Sequence, residues 1–225
     1  MDEFAKVPTM RTILLAGASG LVGRECLRML LATPEFNTVA TLSRQALPPE
    51  LVPLDQQGRL EQRVVDFDRL RENAASLKAD QIICAIGTTL EEAGSRQRFR
   101  EVDHDYPLAI AQIGLEQGAR HFLLVSAMGA NPRSMIFYNR VKGEVEEALL
   151  ALPYESVTIV RPSLLMGNRA RPRRGEEMAK RLAFLVPARY KPIPARAVAA
   201  TLVRMAVERA PGRRIVESME MRRFV

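Results

Sequence analysis

Short apolar runs alternate with longer amphipathic segments along most of the chain. The apolar runs predict strands, because nearly continuous apolar sequence of this length is typical of strands that helices cover on both faces. The six predicted strands are 13–16, 38–43, 61–66, 80–86, 121–125 and 156–160. Since strands that alternate with helices are joined by right-handed crossovers, the pattern predicts a doubly wound α/β fold with a parallel sheet.

The segments between these strands predict helices. The first begins at Leu21 and ends before Pro34, and a helix after the third strand is expected to begin at Arg69 with Asp68 as its cap. Later helices are predicted at 96–117, 135–151, 176–185 and 195–208. Pro107 either kinks the helix at 96–117 or marks the start of its second part. Residues 213–218 predict one more strand, and the region from about 165 to 195 has room for a small substrate-side lobe.

Three glycines follow the first predicted strand. Gly17, Gly20 and Gly23 have a GxxGxxG spacing, and no Lys-Ser or Lys-Thr pair of a Walker loop follows them. Gly17 permits a tight turn, Gly20 lets the backbone approach a pyrophosphate, and Gly23 lets the next helix pack against its strand. The pyrophosphate would face free N–H groups at the helix N-terminus. The turn therefore predicts dinucleotide binding, with an ordinary turn as the alternative.

Candidate cofactor contacts also follow the next three strands. Arg44 directly follows the second strand, at a position where an acid would bind a ribose 2′-hydroxyl and an arginine accommodates a 2′-phosphate, so it favours NADP over NAD. The alternative for Arg44 is a solvated loop. Asp66 would accept a hydrogen bond from the adenine amino group, with simple turn chemistry as its alternative. The small residues Gly87 and Thr88 would let a ligand lie against the backbone.

Candidate catalytic residues follow the fifth predicted strand. Tyr138 and Lys142 are four residues apart on a predicted helix, so they share one face. A free tyrosine phenol ionises only near about pH 10, but a neighbouring ammonium favours the phenolate and makes Tyr138 a usable general acid or base. Ser126, at the end of the strand, could hydrogen-bond a substrate carbonyl oxygen as charge develops there. The alternative is that Tyr138 and Lys142 are an ordinary helical pair.

Composition agrees with one well-buried domain spanning residues 1–225. The chain has 47% hydrophobic residues and 26% charged ones. It has neither an apolar run of about 20 residues nor the start of a signal peptide, so we expect a soluble, cytoplasmic protein without a membrane segment. Cys26 and Cys84 lie in apolar elements and are interpreted as buried structural thiols. His104 and His121 lack ligand spacing, so we expect no metal.

The formal net charge of +7 raises the question of an anionic partner. Most arginines are scattered near acidic residues, and the dense cluster is Arg169–Arg174. This cluster is either a solvated loop or a contact to an anionic cofactor or substrate. Because aromatic residues are not interleaved with it, we do not expect a nucleic-acid partner.

Several motifs together resemble one family. The segments CAIGTT at 84–89, FREVDHDY at 99–106 and VKGEVE at 141–146, with Tyr138 before the last, are similar to the Tat-interacting-protein (CC3) group. That group belongs to the atypical or extended NAD(P)-binding branch of the short-chain dehydrogenase/reductase superfamily. The resemblance covers essentially the whole chain. It implies a Rossmann-type fold and, as in many relatives, a homodimer formed through the helices after strands four and five.

The resemblance also implies roles for single residues. Implied contacts to the cofactor are Gly17, Ser19, Gly20, Leu21 and Val22 at the pyrophosphate, Arg44 at the 2′-phosphate, Gly87 and Thr88 along the cofactor, and Pro162, Ser163 and Leu164 beside the nicotinamide. Ser126, Tyr138 and Lys142 match the family's catalytic residues, and Lys142 would also hold the ribose hydroxyls of the cofactor. Many relatives have an asparagine where this chain has Asp103, which leaves the proton relay open; a helix-surface acid is the alternative for Asp103.

The sequence favours an NADPH-dependent oxidoreductase that transfers hydride to or from a small carbonyl or alcohol substrate. The alternative is an NADPH-binding regulatory or protein-interaction module with little or no turnover, because the fold by itself does not specify chemistry. The Ser126, Tyr138 and Lys142 trio favours the enzyme, and the small substrate lobe keeps the alternative open.

Overall fold

The structure is a computed structural model and describes residues 11–52, 58–166 and 191–224. The strands in the described chain are β1 (Thr12–Ala16), β2 (Thr38–Ser43), β3 (Leu60–Val64), β4 (Gln81–Cys84), β5 (His121–Val125), β6 (Ser156–Arg161), β7 (Leu165–Met166), β8 (Ile193–Pro194) and β9 (Gly212–Glu217). Seven of them form a parallel sheet in the order β3-β2-β1-β4-β5-β6-β9. The winding direction reverses between β1 and β4, and doubly wound folds bind ligands at the carboxyl end of this point.

Helices cover both faces of this sheet. The helices are α1 (Leu21–Ala32), α2 (Leu90–Ala93), α3 (Arg96–Arg100), α4 (Tyr106–Glu116), α5 (Phe137–Leu150), α6 (Ala195–Glu208) and α7 (Ser218–Met221), with 3-10 segments at Pro49–Leu51, Phe67–Leu77 and Arg222–Phe224. Apolar residues of α1 and α6 pack on one face. Residues of α4, α5 and the segment Phe67–Leu77 pack on the other. The strands between these layers are buried on both sides, and for this reason their sequences are nearly continuous apolar runs.

Much of this architecture matches the sequence prediction. The doubly wound parallel sheet is confirmed, and the predicted bounds of β2, β5 and α6 agree with the structure. The tail strand is also present, as β9, one residue earlier than predicted, and it extends the sheet beyond β6.

The segment after β3 differs from the prediction. A 3-10 segment begins at Phe67, and its cap is Asp66, whose carboxylate accepts the N–H of Asp68 at 2.9 Å. Asp68 is therefore not the cap, and the predicted helix start at Arg69 was wrong. The exposed Asp66 performs the turn chemistry that was its alternative interpretation.

The predicted long helix at 96–117 is a continuous helical run with a wide turn inside it. A π turn, Glu101–Asp105, separates α3 from α4, and the Tyr106 N–H donates to the Glu101 carbonyl five residues back. Pro107 lies in the first turn of α4 and has no N–H for the Asp103 carbonyl, so the regular ladder cannot continue there. The proline thus sits where the α-helical pattern is interrupted, and Asp103 is the buried residue of the π turn.

The connection from β1 to α1 requires glycine at two of its three positions. Gly17 has φ +90°, and a Cβ there would lie 2.8 Å from the Ala85 backbone. A Cβ on Gly23 would lie 2.0 Å from the Gly17 carbonyl oxygen, so α1 packs directly on its own turn. Gly20 is less restricted, since its Cβ would lie 3.3 Å from the same oxygen. The turn therefore brings backbone from β1, α1 and the β4 end into close contact.

A buried polar row crosses the sheet near its amino end. The imidazole of His121 contacts the Gln81 side chain at 3.2 Å and the Thr158 hydroxyl at 2.9 Å, and the three residues are nearly inaccessible to solvent. Burial lowers the pKa of His121 to about 4, and repulsion by Arg209 adds to this effect. His121 is therefore neutral in the folded protein at physiological pH.

The described part of the substrate-side lobe is small. Strands β7 and β8 pair in parallel through Leu165 with Ile193 and Met166 with Pro194. The predicted helix at 176–185 and the Arg169–Arg174 cluster lie outside the described residues. Within the described ranges, the helices are too short or too polar to cross a membrane.

Gly23→Ala is expected to lower the free energy of unfolding by about 1–3 kcal/mol, because the new methyl group must displace the Gly17 carbonyl. This loss opposes the gain of about 1 kcal/mol that alanine normally brings inside a helix. Gly20→Ala is the matched control and should cost about 1 kcal/mol or less. Urea denaturation measures both variants, and equal stability of the two would contradict the close packing of Gly23.

The unfolding free energy is expected to fall by roughly 3 kcal/mol between pH 7 and pH 4 through His121. In that range the unfolded chain binds a proton at its ordinary pKa of 6.5, whereas the folded protein resists protonation until about pH 4. His121→Gln should remove this part of the pH dependence, and His104→Gln should keep it. Urea denaturation at several pH values measures the slopes. An unchanged slope in His121→Gln would show that this histidine is not responsible.

Candidate active site

A cavity of about 1020 Å³ opens at the carboxyl ends of β1, β4, β5 and β6. This volume is at the upper end of the range of about 300–1,000 Å³ that is usual for cofactor and small-molecule sites. The predicted site residues on its wall are Ser19, Gly20, Leu21, Val22, Gly87, Thr88, Ser126, Tyr138, Lys142, Pro162, Ser163 and Leu164. The structure therefore brings together residues from five separate parts of the sequence.

The N-terminus of α1 forms one side of the cavity. No side chain of the described chain caps α1, and its first residues, Leu21 and Val22, lie on the cavity wall. The N–H groups of a first helical turn have no partner within the helix and favour an anion. Gly17 lies behind this wall and shapes the turn. The local structure fits the pyrophosphate role expected for this segment.

Besides Gly17, two predicted cofactor contacts lie away from the cavity wall. Arg44 follows β2 and is exposed, and its side chain has no hydrogen bond or ion pair to other described residues. Asp66 follows β3, is also exposed, and caps the 3-10 segment. The structure places Asp66 outside the cavity wall, and its expected adenine contact stays a prediction. Arg44 remains available to an anion beside β2.

A buried ion pair lies at the base of the cavity. The Lys142 ammonium is 2.8 Å from Asp103 Oδ1, and the side chains are only 4% and 1% exposed. The other carboxylate oxygen of Asp103 accepts the Thr88 N–H at 2.8 Å. Burial is the largest single effect on the pKa of Lys142 and lowers it, but Asp103, Tyr138 and Cys84 together outweigh burial, and the pKa is raised above its ordinary value. Lys142 is therefore charged at neutral pH.

Tyr138 lies one helical turn before Lys142 on the cavity wall. Its ring packs against Phe99, with 5.4 Å between the ring centroids, and Phe99 is fully buried. This contact restricts the ring while the residue stays partly accessible. Tyr138 and the charged Lys142 therefore face the same cavity.

Ser126 is on the cavity wall, but its hydroxyl donates to the Glu146 carboxylate. Glu146 is 3% exposed and also pairs with Arg161, whose Nε lies 3.1 and 3.2 Å from its two oxygens. A hydroxyl has one proton to donate. In this structure Glu146 accepts that proton, and the donation of Ser126 to a substrate oxygen stays a prediction.

Sequence reasoning missed three residues of this site. Glu146 is one turn beyond Lys142, so the i, i+4, i+8 spacing from Tyr138 was a signal that it shares their helix face. Asn139 lies on the cavity wall, and its side-chain amide has no hydrogen bond to other described residues. Arg24 also lines the cavity and donates to the Ser19 carbonyl at 3.0 Å. The spacing of the sequence gave no comparable signal for Asn139.

The two cysteines are free and buried, as expected for structural thiols. Across the described ranges, His, Cys, Asp and Glu side chains form no group of three or more that could hold a metal ion.

Comparisons with known proteins agree with this geometry. A family model described as NAD(P)H-binding matches residues 17–209. The protein HTATIP2 of Rattus norvegicus is 33% identical over 178 residues, which cover 79% of this chain and 72% of that protein. The protein fmp52, mitochondrial, of Emericella nidulans is 33% identical over 174 residues, which cover 76% of this chain and 74% of that protein.

Solved structures show the same fold at low sequence identity. MoeE5 in complex with UDP-glucose and NAD has a TM-score of 0.69 and 16% identity, covering 93% of this chain and 79% of that chain. The UDP-Glc/GlcNAc 4-epimerase from Campylobacter jejuni has a TM-score of 0.70 and 15% identity, covering 94% of this chain and 81% of that chain. Together with the glycine turn and the Tyr138–Lys142 cavity, these matches establish that the chain belongs to the NAD(P)H-binding family, in the atypical branch of the short-chain dehydrogenases/reductases.

Proposed function

We propose that the protein is an NADPH-dependent oxidoreductase that acts on a small carbonyl or alcohol substrate. The observation that carries this proposal is the position of Tyr138 and Lys142 on one cavity wall, one helical turn apart, with Lys142 held charged by Asp103. A proton donor and a fixed cation in one cleft are the groups that carbonyl reduction needs.

The residues around the cavity fit a nicotinamide dinucleotide. The uncapped N-terminus of α1 would bind the pyrophosphate through Ser19, Gly20, Leu21 and Val22. A Cβ on Gly87 would lie 3.3 Å from Asp103 Oδ1 and 3.7 Å from Lys142 Nζ, so glycine keeps space open above the ion pair. Pro162, Ser163 and Leu164, at the far wall, would lie beside the nicotinamide. When bound, NADPH supplies the hydride.

The chain's own residues would transfer the proton to or from the substrate oxygen. In reduction, Tyr138 would give its hydroxyl proton to the substrate oxygen. In oxidation, Tyr138 would accept the proton of the substrate hydroxyl. Lys142 would hold the ribose hydroxyls and stabilise the phenolate that remains on Tyr138. Ser126 would keep its hydrogen bond to Glu146 and contribute through the stability of the strand end. Asn139 lies on the same cavity wall, and its side-chain amide has no hydrogen bond to other described residues.

One observation favours the alternative of an NADPH-binding regulatory module. The Ser126 hydroxyl, which the sequence predicts as a donor to a substrate oxygen, donates to Glu146 in this structure. A site that binds the cofactor without this donor could act as a sensor of NADPH. Measurement of turnover distinguishes the two functions.

We expect the protein to bind NADPH at least about tenfold more tightly than NADH, because Arg44 can form a forked contact with the 2′-phosphate. Arg44→Ala should reduce the ratio of the two dissociation constants to near one. Arg71→Ala is the matched control, since Arg71 is exposed and pairs with Glu116 away from the cavity. Fluorescence titration measures the constants. Equal affinities in the unmodified protein would remove Arg44 from this role.

Tyr138→Phe is expected to lower kcat for NADPH oxidation about 100-fold or more, because the proton donor is lost. The dissociation constant of NADPH should change less than about threefold, since the ring and its packing on Phe99 are kept. Ser126→Ala should keep kcat/KM within about threefold. The rates are measured with a panel of aldehydes, ketones and quinones. If Tyr138→Phe still turns over a substrate of the panel, the proposed mechanism is refuted. If the unmodified protein turns over no substrate of the panel, the alternative of an NADPH sensor is favoured.

A further inference from the structure

The buried ion pair joins two parts of the chain that meet only in the folded protein. Lys142 belongs to α5, and Asp103 belongs to the π turn between α3 and α4. Burying two charges is expensive unless each has close partners. The 2.8 Å contact gives Lys142 a close counter-charge, and the Thr88 N–H gives Asp103 a second partner.

Asp103 is buried, and Asp105, two residues later in the same π turn, is exposed. Asp103 is 1% exposed, whereas the Asp105 side chain is 51% exposed and contacts His104. Residues two apart in a helical segment point to different sides, so one acid faces the interior and the other faces solvent. The two aspartates therefore make a matched pair, with the same chemistry, in one turn, at different depths.

Asp103 also connects Lys142 to the loop after β4. One carboxylate oxygen contacts Lys142, the other accepts the N–H of Thr88, and Gly87 lies against both charged groups. Thr88 and Gly87 line the cavity. A change at Asp103 would thus reach the charge of Lys142 and the position of the cavity loop at the same time.

The other ionisable groups that act on Lys142 are Tyr138 on α5 and Cys84 at the end of β4. Burial alone lowers the pKa of Lys142, and Asp103 is the largest of the effects that raise it. An ammonium left at this depth without its carboxylate would lose its proton more readily. The charge of Lys142 at neutral and mildly alkaline pH therefore depends mainly on Asp103.

We propose that Asp103 is a positioning residue for the cofactor site: it keeps Lys142 charged and oriented, and through Thr88 it fixes the loop on which NADPH would lie. This inference rests on the proposed function for its cofactor, and it assigns to Asp103 a role other than that of a helix-surface acid. It predicts that NADPH affinity becomes sensitive to alkaline pH when the carboxylate is removed.

The test measures the dissociation constant of NADPH by fluorescence titration between pH 7 and pH 9.5. The unmodified protein and the control Asp105→Asn should show the same shallow pH dependence. Asp103→Asn keeps an acceptor for Thr88 but removes the charge, so binding should weaken at least about fivefold more than in the control as the pH rises. Asp103→Leu removes both functions, so binding should also be weaker at pH 7. Adding Lys142→Met to Asp103→Asn should abolish the extra pH dependence.

The pH dependence of NADPH binding tests the role of Asp103 independently of whether the protein reduces a carbonyl. The proposed role of Asp103 would be overturned if the NADPH dissociation constant of Asp103→Asn depended on pH as that of Asp105→Asn does. It would also be overturned if the extra pH dependence persisted after Lys142→Met is added to Asp103→Asn. Circular dichroism checks the fold, and the isosteric Asp103→Asn carries the test if Asp103→Leu does not fold. If the unmodified protein binds NADPH but reduces no carbonyl, the oxidoreductase proposal fails, while the pH dependence still decides the role of Asp103.

Discussion

Lys142 and Asp103 meet at the base of the cavity, where both side chains are almost completely buried. Each charge stabilises the other, because an unpaired charge at that depth would have to be neutralised or exposed to solvent. The pair holds α5 against the π turn and, through Thr88, holds the loop after β4 against both. The position of Tyr138 follows from this arrangement, since it lies one turn before Lys142 on the same helix.

A second buried carboxylate holds the other side of α5. Glu146, one turn beyond Lys142, accepts from Ser126 at the end of β5 and from Arg161 at the end of β6. Helix α5 is thus tied to two neighbouring strand ends by charge-assisted hydrogen bonds, which are stronger than neutral ones. This contact stabilises the position of α5 and uses the hydroxyl that sequence reasoning assigned to the substrate. The same interaction therefore holds the candidate site together and gives Ser126 an acceptor inside the protein.

Local signals explain which predictions were accurate. The bounds of β2 and β5 follow from short apolar runs with polar ends, and the β1 to α1 connection follows from glycines whose spacing the close packing requires. The helix start after β3 was wrong because Asp66 and Asp68 are both good caps, and only the backbone conformation selects Asp66. Two acids two residues apart in sequence give no basis for choosing between them.

The sequence by itself determined the parallel α/β sheet, the glycine turn, and the pairing of Tyr138 with Lys142, because periodicity and glycine spacing are local properties of the chain. Tertiary structure alone decided the burial of Asp103 beside Lys142, the donation of the Ser126 hydroxyl to Glu146, and the exposed position of Asp66. Each of these depends on which groups from distant segments come within hydrogen-bond distance. That choice is set by how helices pack on the sheet, and the one-dimensional pattern of polar and apolar residues does not encode it directly.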